Sequence, residues 1–223
     1  MNDQSLSQPE FIATYWTLAG DVVPLGPPYE EASQHDFIER VETAAQLGYR
    51  GLGLIHSDLM KSRDRHGFTE MHRILQALGL SVELEFLVGW LADGDELAEA
   101  EQVFYDLLTA AEELGATRIK VGPDMQAKDW PMDHMCARFA KLCQRAQPCG
   151  AEIVLEPMPW SNIADLKSAH ALIEGANEVN GGLLIDIWHM ARGGIRYDEV
   201  AKLPPGISKH VDRSDADADR RGA

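Results

Sequence analysis

Cysteine is scarce in this sequence, and this scarcity excludes some classes of protein. Only Cys136, Cys143 and Cys149 occur among 223 residues. An odd number of cysteines, confined to one predicted helix and its end, argues against a disulfide framework. Their spacing also matches no structural zinc motif. We therefore expect Cys136 and Cys143 to pack in the core.

Basic residues are few compared with acidic ones, and long apolar runs are absent from the sequence. The 20 lysines and arginines are outnumbered by 36 aspartates and glutamates, which gives a formal net charge of -16. Because so acidic a surface repels phosphate backbones, we expect no nucleic-acid partner. No apolar run is long enough to span a membrane, and residues 1–10 lack the features of an export signal. We expect a cytoplasmic protein without a membrane partner, whose local concentrations of acid suit a divalent cation.

A repeated pattern of strand and helix organises the chain. Glycines that follow helix-patterned segments stand at positions 48, 79, 115 and, in weaker form, 150, and each precedes an apolar run. Their spacing of 31 to 36 residues is the size of one strand–loop–helix unit. The pattern predicts strands at 11–17, 51–55, 82–88, 117–121, 152–156, 183–185 and 207–212. It predicts helices at 34–47 with Ser33 as the N-cap, 69–78, 95–114, 132–146, 162–177 and 197–203, and a basic loop at 61–67.

This alternation of strands and helices implies a parallel sheet with right-handed crossovers. Both a barrel and an open doubly wound sheet fit the pattern. Residues 14–20 lack a glycine-rich dinucleotide fingerprint, and polar residues instead follow many of the strands. We therefore predict an α/β fold of the TIM (β/α)8 barrel type. It would be a single domain over residues 1–223, with a flexible N-terminus at 1–9 and a polar tail at 214–223.

Two of the predicted strands end in a carboxylate. In strand five, Ile-Val-Leu is followed by Glu156 and a proline; in strand six, Leu-Leu-Ile is followed by Asp186, with His189 three residues later. A strand followed by a polar loop is the plainer interpretation of one such segment. The carboxyl ends of parallel strands meet at one rim, however, so two segments of the same design predict an active site.

These strand ends resemble those of the xylose-isomerase-like TIM-barrel superfamily. Leu-Glu-Pro ends strand five, Ile-Asp-x-x-His ends strand six, and strand seven carries His-Val-Asp-x-x-Asp. The superfamily contains sugar and sugar-phosphate isomerases and epimerases, hydroxypyruvate isomerases, inosose and dehydroshikimate dehydratases, and abasic-site endonucleases. The resemblance runs from about residue 10 to 217 and is strongest over residues 150–217.

The resemblance implies a metal centre. It makes Glu156 and Asp186 two of the carboxylate ligands, and it gives His189 a part in holding substrate or metal. Glu156 and His189 become the candidate catalytic residues, because a metal-bound carboxylate can move a proton next to a carbonyl. Such oxygen-rich ligands suit Mn²⁺ or Mg²⁺, and Co²⁺ if a histidine from strand seven takes part.

Strand seven offers two candidate ligands, and the sequence departs from the family beyond it. Alignment on Asp215 makes Asp212 the ligand, but His210 lies two residues earlier on the same face. The family's eighth strand, which carries a further Glu, has no counterpart before Ala223, and strand two has Gly53 where many relatives place a Glu. A barrel of seven strands leaves an open seam. Either a partner, such as the second copy in a homodimer, covers the seam, or a further C-terminal segment completes the barrel.

Other side chains at or near predicted strand ends are candidates for binding substrate. Aromatic rings there can stack on the apolar face of a sugar, and an arginine beside a glycine pair suits a phosphate or carboxylate. A lysine inside a barrel needs an anionic partner. Core packing, surface loops and surface ion pairs are the structural alternatives. The candidates are His56, Glu85, Lys120, Trp160, Trp188 and Arg192.

The resulting hypothesis is a metal-dependent isomerase or epimerase that acts on a small carbohydrate, a sugar or sugar phosphate. It would abstract a proton next to a carbonyl and form a metal-stabilised enediolate. Within enzymes, the alternative is a dehydratase of a cyclic polyol or dehydroshikimate type. From a different class, the alternative is a metal-binding or ligand-binding barrel that has lost catalysis.

Overall fold

The computed structural model describes residues 10–24 and 26–213. The expected flexible N-terminus at 1–9, the polar tail at 214–223 and Asp215 lie outside the described residues. None of the helices in the described part of the chain combines the length and the apolar composition that a membrane crossing requires.

The chain forms two compact units. The first extends to Leu84 and includes Glu113–Ala116; the second contains Glu85–Glu112 and continues from Thr117. Within each unit, hydrogen-bonded strands follow one another in chain order. The first unit contains β1 (Ile12–Ala13), β2 (Gly51–Ile55) and the start of β3 (Ser81–Leu87). The second contains the end of β3, then β4 (Arg118–Val121), β5 (Glu152–Leu155), β6 (Gly181–Asp186) and β7 (Ser208–Asp212).

Helices separate the strands along the chain, as the repeat predicts. The first unit has α1 (Tyr15–Leu18), α2 (Pro28–Glu31), α3 (Phe37–Gln46), α4 (His56–His66) and α5 (Phe68–Leu78). Starting in the second unit are α6 (Gly94–Leu114), α7 (Met132–Ala146), α8 (Leu166–Ala176), α9 (Ile187–Arg192) and α10 (Tyr197–Val200). The glycines expected to follow helices all have positive φ, which only glycine adopts at little cost: Gly48, Gly79, Gly115 and Gly150.

Parallel pairing brings the strand ends of the second unit into register. Strand β4 pairs with β5, β5 with β6, and β6 with β7, all in parallel. The middle strands are almost wholly buried, so they supply the core of this unit. Asp186, the last residue of β6, lies opposite Asp212, the last residue of β7. Acidic side chains therefore meet at the carboxyl edge of the sheet.

The predicted first strand, 11–17, is wrong over most of its length. Only Ile12–Ala13 is extended, and helix α1 follows almost at once. The reason lies in tertiary contacts of Tyr15, whose side chain is buried. Its hydroxyl donates to the carbonyl oxygen of Glu31 and accepts from the amide of Ser33, both at 2.7 Å. These contacts override the local strand propensity.

The predicted basic loop at 61–67 is also wrong. Residues 61–66 belong to helix α4, which continues to His66. The segment is rich in charge, which suggested a loop, but Asp58 and Leu59 on the same helix are buried. Gly67 then ends the helix with φ of 73°, a conformation that favours glycine.

Two helices begin later than predicted because aspartates cap them. The N-cap of α3 is Asp36, which accepts a hydrogen bond at 2.9 Å from the amide two residues later. The expected cap, Ser33, donates its hydroxyl to the carbonyl oxygen of Ala19 instead. Helix α8 begins at Leu166 after the N-cap Asp165. Helix α9 was not predicted at all, since the pattern suggested only the end of a strand.

A buried ion pair anchors helices α3 and α4 in the first unit. Arg40 Nη2 lies 2.5 Å from Asp58 Oδ2, and the two side chains are 3% and 1% exposed. The other oxygen of Asp58 accepts a hydrogen bond from the amide of Ser33 at 3.1 Å, and Lys61 donates to the carbonyl oxygen of Ser33 at 2.6 Å. The carboxylate thus joins both helices to the segment that precedes α3.

Replacing Asp58 tests this network. We expect Asp58→Asn to lower the free energy of unfolding by about 3–5 kcal/mol, because it leaves the Arg40 charge buried without its counterion. Urea denaturation provides the measurement. Asp64→Asn in the same helix is the matched control: its partner Arg63 is 39% exposed, so the loss should stay below about 1 kcal/mol. Equal losses for the two variants would contradict the anchoring role.

Candidate metal centre

Glu156 directly follows strand β5 and is held there by the sheet. Its amide donates to the carbonyl oxygen of Val121 at 3.1 Å, and its side chain lies at the carboxyl edge of a buried strand. The residue as a whole is 7% exposed. A buried carboxylate at this position requires a proton, a cation or several hydrogen bonds.

Asp186 has two functions, since it ends strand β6 and is the N-cap of helix α9. Its Oδ1 accepts hydrogen bonds from the amides of Trp188 at 2.6 Å and His189 at 3.0 Å. Both bonds go to the same oxygen, so Oδ2 stays outside the cap. The cap also places His189 on the first turn of the helix, beside the carboxylate that orients it.

The three side chains come together as one cluster. His189 Nε2 lies 3.1 Å from Glu156 Oε1, and one ligand atom from each of Glu156, Asp186 and His189 lies within 4.8 Å of the others. The Nδ1 atom of His189 is buried and has no hydrogen-bond partner among the described residues. Two carboxylates and an imidazole at this spacing fit a divalent cation, so this is a candidate site for one. We refer to Glu156, Asp186 and His189 as the metal centre in this sense.

Burial and mutual charge shift the protonation of the centre. Burial is the main cause that raises the pKa of Glu156, and the negative charges of Asp212 and Asp186 raise it further. A hydrogen bond from His189 and the charge of that residue lower the pKa but do not outweigh the rise. Burial alone would lower the pKa of His189, but the hydrogen bond and charge of Glu156 outweigh it and raise that pKa. The pair therefore retains a proton more firmly than either group does in water. A metal ion needs deprotonated ligands, so its binding would displace this proton.

Four other predicted site residues form a second group, which we call the lysine cluster: the buried Glu85 and Lys120 and the partly buried His210 and Asp212. Lys120 Nζ lies 3.2 Å from Glu85 Oε1 and 3.1 Å from Asp212 Oδ2. His210 Nε2 lies 2.7 Å from Asp212 Oδ1. Burial works against ionisation of Asp212, but the hydrogen bond from His210 and the charge of Lys120 hold its pKa below the usual value.

Two tryptophans line one side of the metal centre. Trp160 follows strand β5 and Trp188 lies in helix α9, and their ring centroids are 6.0 Å apart. The imidazole of His189 lies 5.0 Å from the ring of Trp160 and 5.2 Å from that of Trp188. The guanidinium of Arg192 lies over the Trp188 ring at 5.5 Å. Trp160 is 48% exposed, so this tryptophan pair presents an aromatic surface to solvent beside the centre.

A polar contact that the sequence did not suggest holds the loop of Trp160. The amide of Asp124 donates to Asn162 Oδ1 at 2.8 Å, and the amide of Asn162 donates back to the carbonyl oxygen of Asp124 at 3.2 Å. Asp124 Oδ2 also accepts from Trp130 Nε1 at 2.7 Å. The Gly-Pro-Asp turn after strand β4 was the one available signal, but its partner lies on another loop.

One predicted site residue lies apart from these groups along the chain. His56 is the first residue of helix α4 in the first unit, directly after strand β2. Its contact with substrate stays a prediction. The same holds for the substrate contacts expected of Glu85, Lys120 and Arg192, and for a metal bond from His210 or Asp212.

The double function of Asp186 can be separated by substitution. Asp186→Ala should lower the free energy of unfolding by about 1 kcal/mol through loss of the helix cap. Asp186→Asn keeps an acceptor oxygen for the two amides, so it should cost distinctly less. Urea denaturation in the presence of a chelator measures the cap without interference from bound metal. Equal losses for the two variants would contradict the capping role.

The fold and the position of these groups define a class of protein. Parallel strands in chain order, alternating with helices and carrying acidic residues at their carboxyl ends, are the pattern of a TIM-barrel protein. A family model described as xylose isomerase-like TIM barrel matches residues 41–222. The chain belongs to this family, which confirms both the predicted fold class and the resemblance drawn from the strand ends. The described residues contain seven strands of the sheet, in keeping with the expected lack of an eighth.

Solved structures share this fold at low sequence identity. A xylose isomerase-like TIM barrel/4-hydroxyphenylpyruvate dioxygenase fusion protein is 16% identical with a TM-score of 0.76, over 93% of this chain and 32% of that chain. The IOLI protein with a binding zinc atom is 16% identical with a TM-score of 0.73, and the match covers 87% of this chain and 69% of that chain. D-psicose 3-epimerase with D-tagatose from Clostridium cellulolyticum H10 is 17% identical with a TM-score of 0.65, and the match covers 82% of this chain and 65% of that chain.

The solved structures show the fold, and the family model shows the family. A comparison with curated proteins gives no match. This chain spans 32% of the length of the fusion protein and about two thirds of the other two chains. The chemistry must therefore be argued from the side chains of this protein.

Proposed function

We propose that this protein is a divalent-metal-dependent isomerase or epimerase that acts on a sugar or sugar phosphate. The observation that supports it most is the metal centre, in which Glu156, Asp186 and His189 offer ligand atoms within 4.8 Å of one another. The family contains enzymes with sugar substrates, and one structure of similar fold is a D-psicose 3-epimerase. The IOLI protein, which has a similar fold, was solved with a bound zinc atom, and this supports metal binding by a protein of this fold.

The residues of the centre fit a hard or borderline divalent ion. Carboxylate oxygens suit Mn²⁺ and Mg²⁺, and the imidazole of His189 makes Co²⁺ an additional choice. No thiolate lies in the cluster, so a structural zinc site of the cysteine type does not fit. Asp186 would bind through the oxygen that its helix cap leaves available.

The same side chains can carry out proton transfer. A bound divalent ion would act as a Lewis acid and make the C–H group next to a substrate carbonyl more acidic. The carboxylate of Glu156 would accept that proton, a step that typically contributes about 10²–10⁴-fold. His189, 3.1 Å from Glu156, would keep the carboxylate oriented and share the proton. Return of the proton to the neighbouring carbon, with transfer of the hydroxyl proton between the two oxygens, would give an isomer. Delivery of a proton to the opposite face by a second group would give an epimer.

The surroundings of the centre suit a small polyhydroxylated substrate. The tryptophan pair offers an aromatic surface on which the apolar face of a sugar can stack. Arg192, which lies over Trp188, supplies a guanidinium for a phosphate or carboxylate group. His56 and the lysine cluster remain proposed contacts for the hydroxyl groups.

The partners and location are part of the same proposal. A small carbohydrate would be the partner, with a homodimer as the proposed assembly. The formal net charge of -16 disfavours nucleic acid, and we propose a cytoplasmic protein that binds no membrane.

Metal binding provides the first test. We expect isothermal titration calorimetry to detect binding of Mn²⁺ or Co²⁺ to the wild-type protein. Glu156→Gln should weaken it by more than the roughly 10–100-fold that changes next to metal ligands cost. Glu152→Gln, at the other end of strand β5, is the matched control and should bind like the wild type. Equal binding by both variants would contradict the assignment of Glu156 as a ligand.

Proton abstraction provides the second test. The Mn²⁺-loaded protein is incubated in D₂O with a panel of ketoses and ketose phosphates, and deuterium next to the carbonyl is followed by NMR. We expect exchange with at least one sugar, and a decrease of at least about 100-fold in Glu156→Gln. Metal binding without exchange would favour a ligand-binding barrel. An unsaturated product formed from a cyclic polyol or dehydroshikimate would identify a dehydratase instead.

A further inference from the structure

The lysine cluster places the ammonium of Lys120 next to Asp212, whose charge acts on Glu156 and His189 of the metal centre. Lys120 is only 2% exposed, and its ammonium lies 3.2 Å from a Glu85 oxygen and 3.1 Å from an Asp212 oxygen. A buried lysine is costly unless anions surround it, so its position is fixed by these carboxylates. The ammonium already neutralises part of the acidic charge at this edge of the sheet.

Asp212 is close to the metal centre, but both of its oxygens are engaged. It lies in register with Asp186 across the pair β6–β7, and its charge affects the pKa of both Glu156 and His189. Its Oδ2 contacts Lys120 at 3.1 Å and its Oδ1 contacts His210 at 2.7 Å. The two contacts hold this carboxylate outside the group of Glu156, Asp186 and His189, whose ligand atoms lie within 4.8 Å of one another, so a ligand bond to the same ion would require Asp212 to move.

The geometry points to Lys120 as a positioning residue that keeps Asp212 out of the metal's ligand set. The ion would then be bound by Glu156, Asp186 and His189, and Asp212 would act only as a nearby charge. Lys120 also sets the affinity, since its positive charge opposes a second cation at this edge. This inference rests on the proposed function, because it takes the metal centre as the place where an ion binds.

Two other roles for Lys120 give different expectations. If the lysine only stabilised the fold, its replacement would lower stability but would not raise the affinity for metal. If it contacted substrate alone, metal affinity would be unchanged by its removal. A gain in metal affinity that depends on Asp212 is specific to competition between the ammonium and the ion for that carboxylate, because removal of the charge alone would raise the affinity whether or not Asp212 is present.

The test is a double-mutant cycle with Co²⁺ as the probe. Co²⁺ affinity is measured by calorimetry, and the visible absorption of bound Co²⁺ reports a change in its ligands. The four proteins are wild type, Lys120→Met, Asp212→Asn and the double variant. Lys120→Arg, which keeps the charge, is the conservative control, and circular dichroism establishes that each variant is folded.

We expect Lys120→Met to bind Co²⁺ at least about tenfold more tightly, with a changed absorption spectrum, because Asp212 becomes a ligand. Asp212→Asn alone should change the affinity by less than about threefold, but the same change in the Lys120→Met background should remove most of the gain. Lys120→Arg should bind like the wild type.

Other outcomes would overturn it. If Asp212→Asn alone weakened Co²⁺ binding more than about tenfold, Asp212 would already be a ligand, and the metal centre would stand without this role for Lys120. If the effects of Lys120→Met and Asp212→Asn on Co²⁺ affinity were additive, the two residues would not be coupled, and competition for Asp212 would be ruled out. If Lys120→Met does not fold, Lys120→Gln, which removes the charge but keeps a polar group, takes its place in the cycle. Absence of binding by every folded protein would overturn the proposed metal site itself.

Discussion

The metal centre depends on the cap that Asp186 makes at the start of helix α9. Because one carboxylate oxygen accepts both amides of the first turn, the sequence Asp-Ile-Trp-His folds back on itself at the end of strand β6. This turn brings His189 next to Asp186 and within 3.1 Å of Glu156 on the neighbouring strand. Trp188 is carried on the same turn. A single hydrogen-bonded carboxylate thus orients an acid, an imidazole and an aromatic ring together.

Charge balance is the second constraint on this part of the molecule. Glu85, Glu156, Asp186 and Asp212 are acidic groups of one unit, three of them at strand ends and all wholly or largely removed from water. Without compensation they would repel one another and take up protons. Lys120 compensates Asp212 and Glu85, whereas the pair formed by Glu156 and His189 retains a proton. Among the described residues, no lysine or arginine pairs with Glu156 or Asp186, and these two carboxylates meet at His189.

The repeat and the two acidic strand ends were predictable because they are local. Apolar runs of strand length, glycines after helices and a carboxylate at the end of a run are all visible along the chain. The strand–helix transition after β1, helix α4 and the contact between Asp124 and Asn162 were not. Each of these is decided by side chains far away in sequence: Tyr15 reaches Glu31, and Asp58 reaches Arg40. Such contacts leave no periodic signal.

The sequence by itself determined the family, the alternation of strands and helices, and the candidacy of Glu156, Asp186 and His189. It could not choose between His210 and Asp212, since both lie on one face of the same strand. The tertiary structure determined their contacts by pairing Asp212 with both His210 and Lys120. The physical reason is that Lys120 lies 92 residues away from Asp212, and only the folded sheet brings a buried ammonium to that carboxylate.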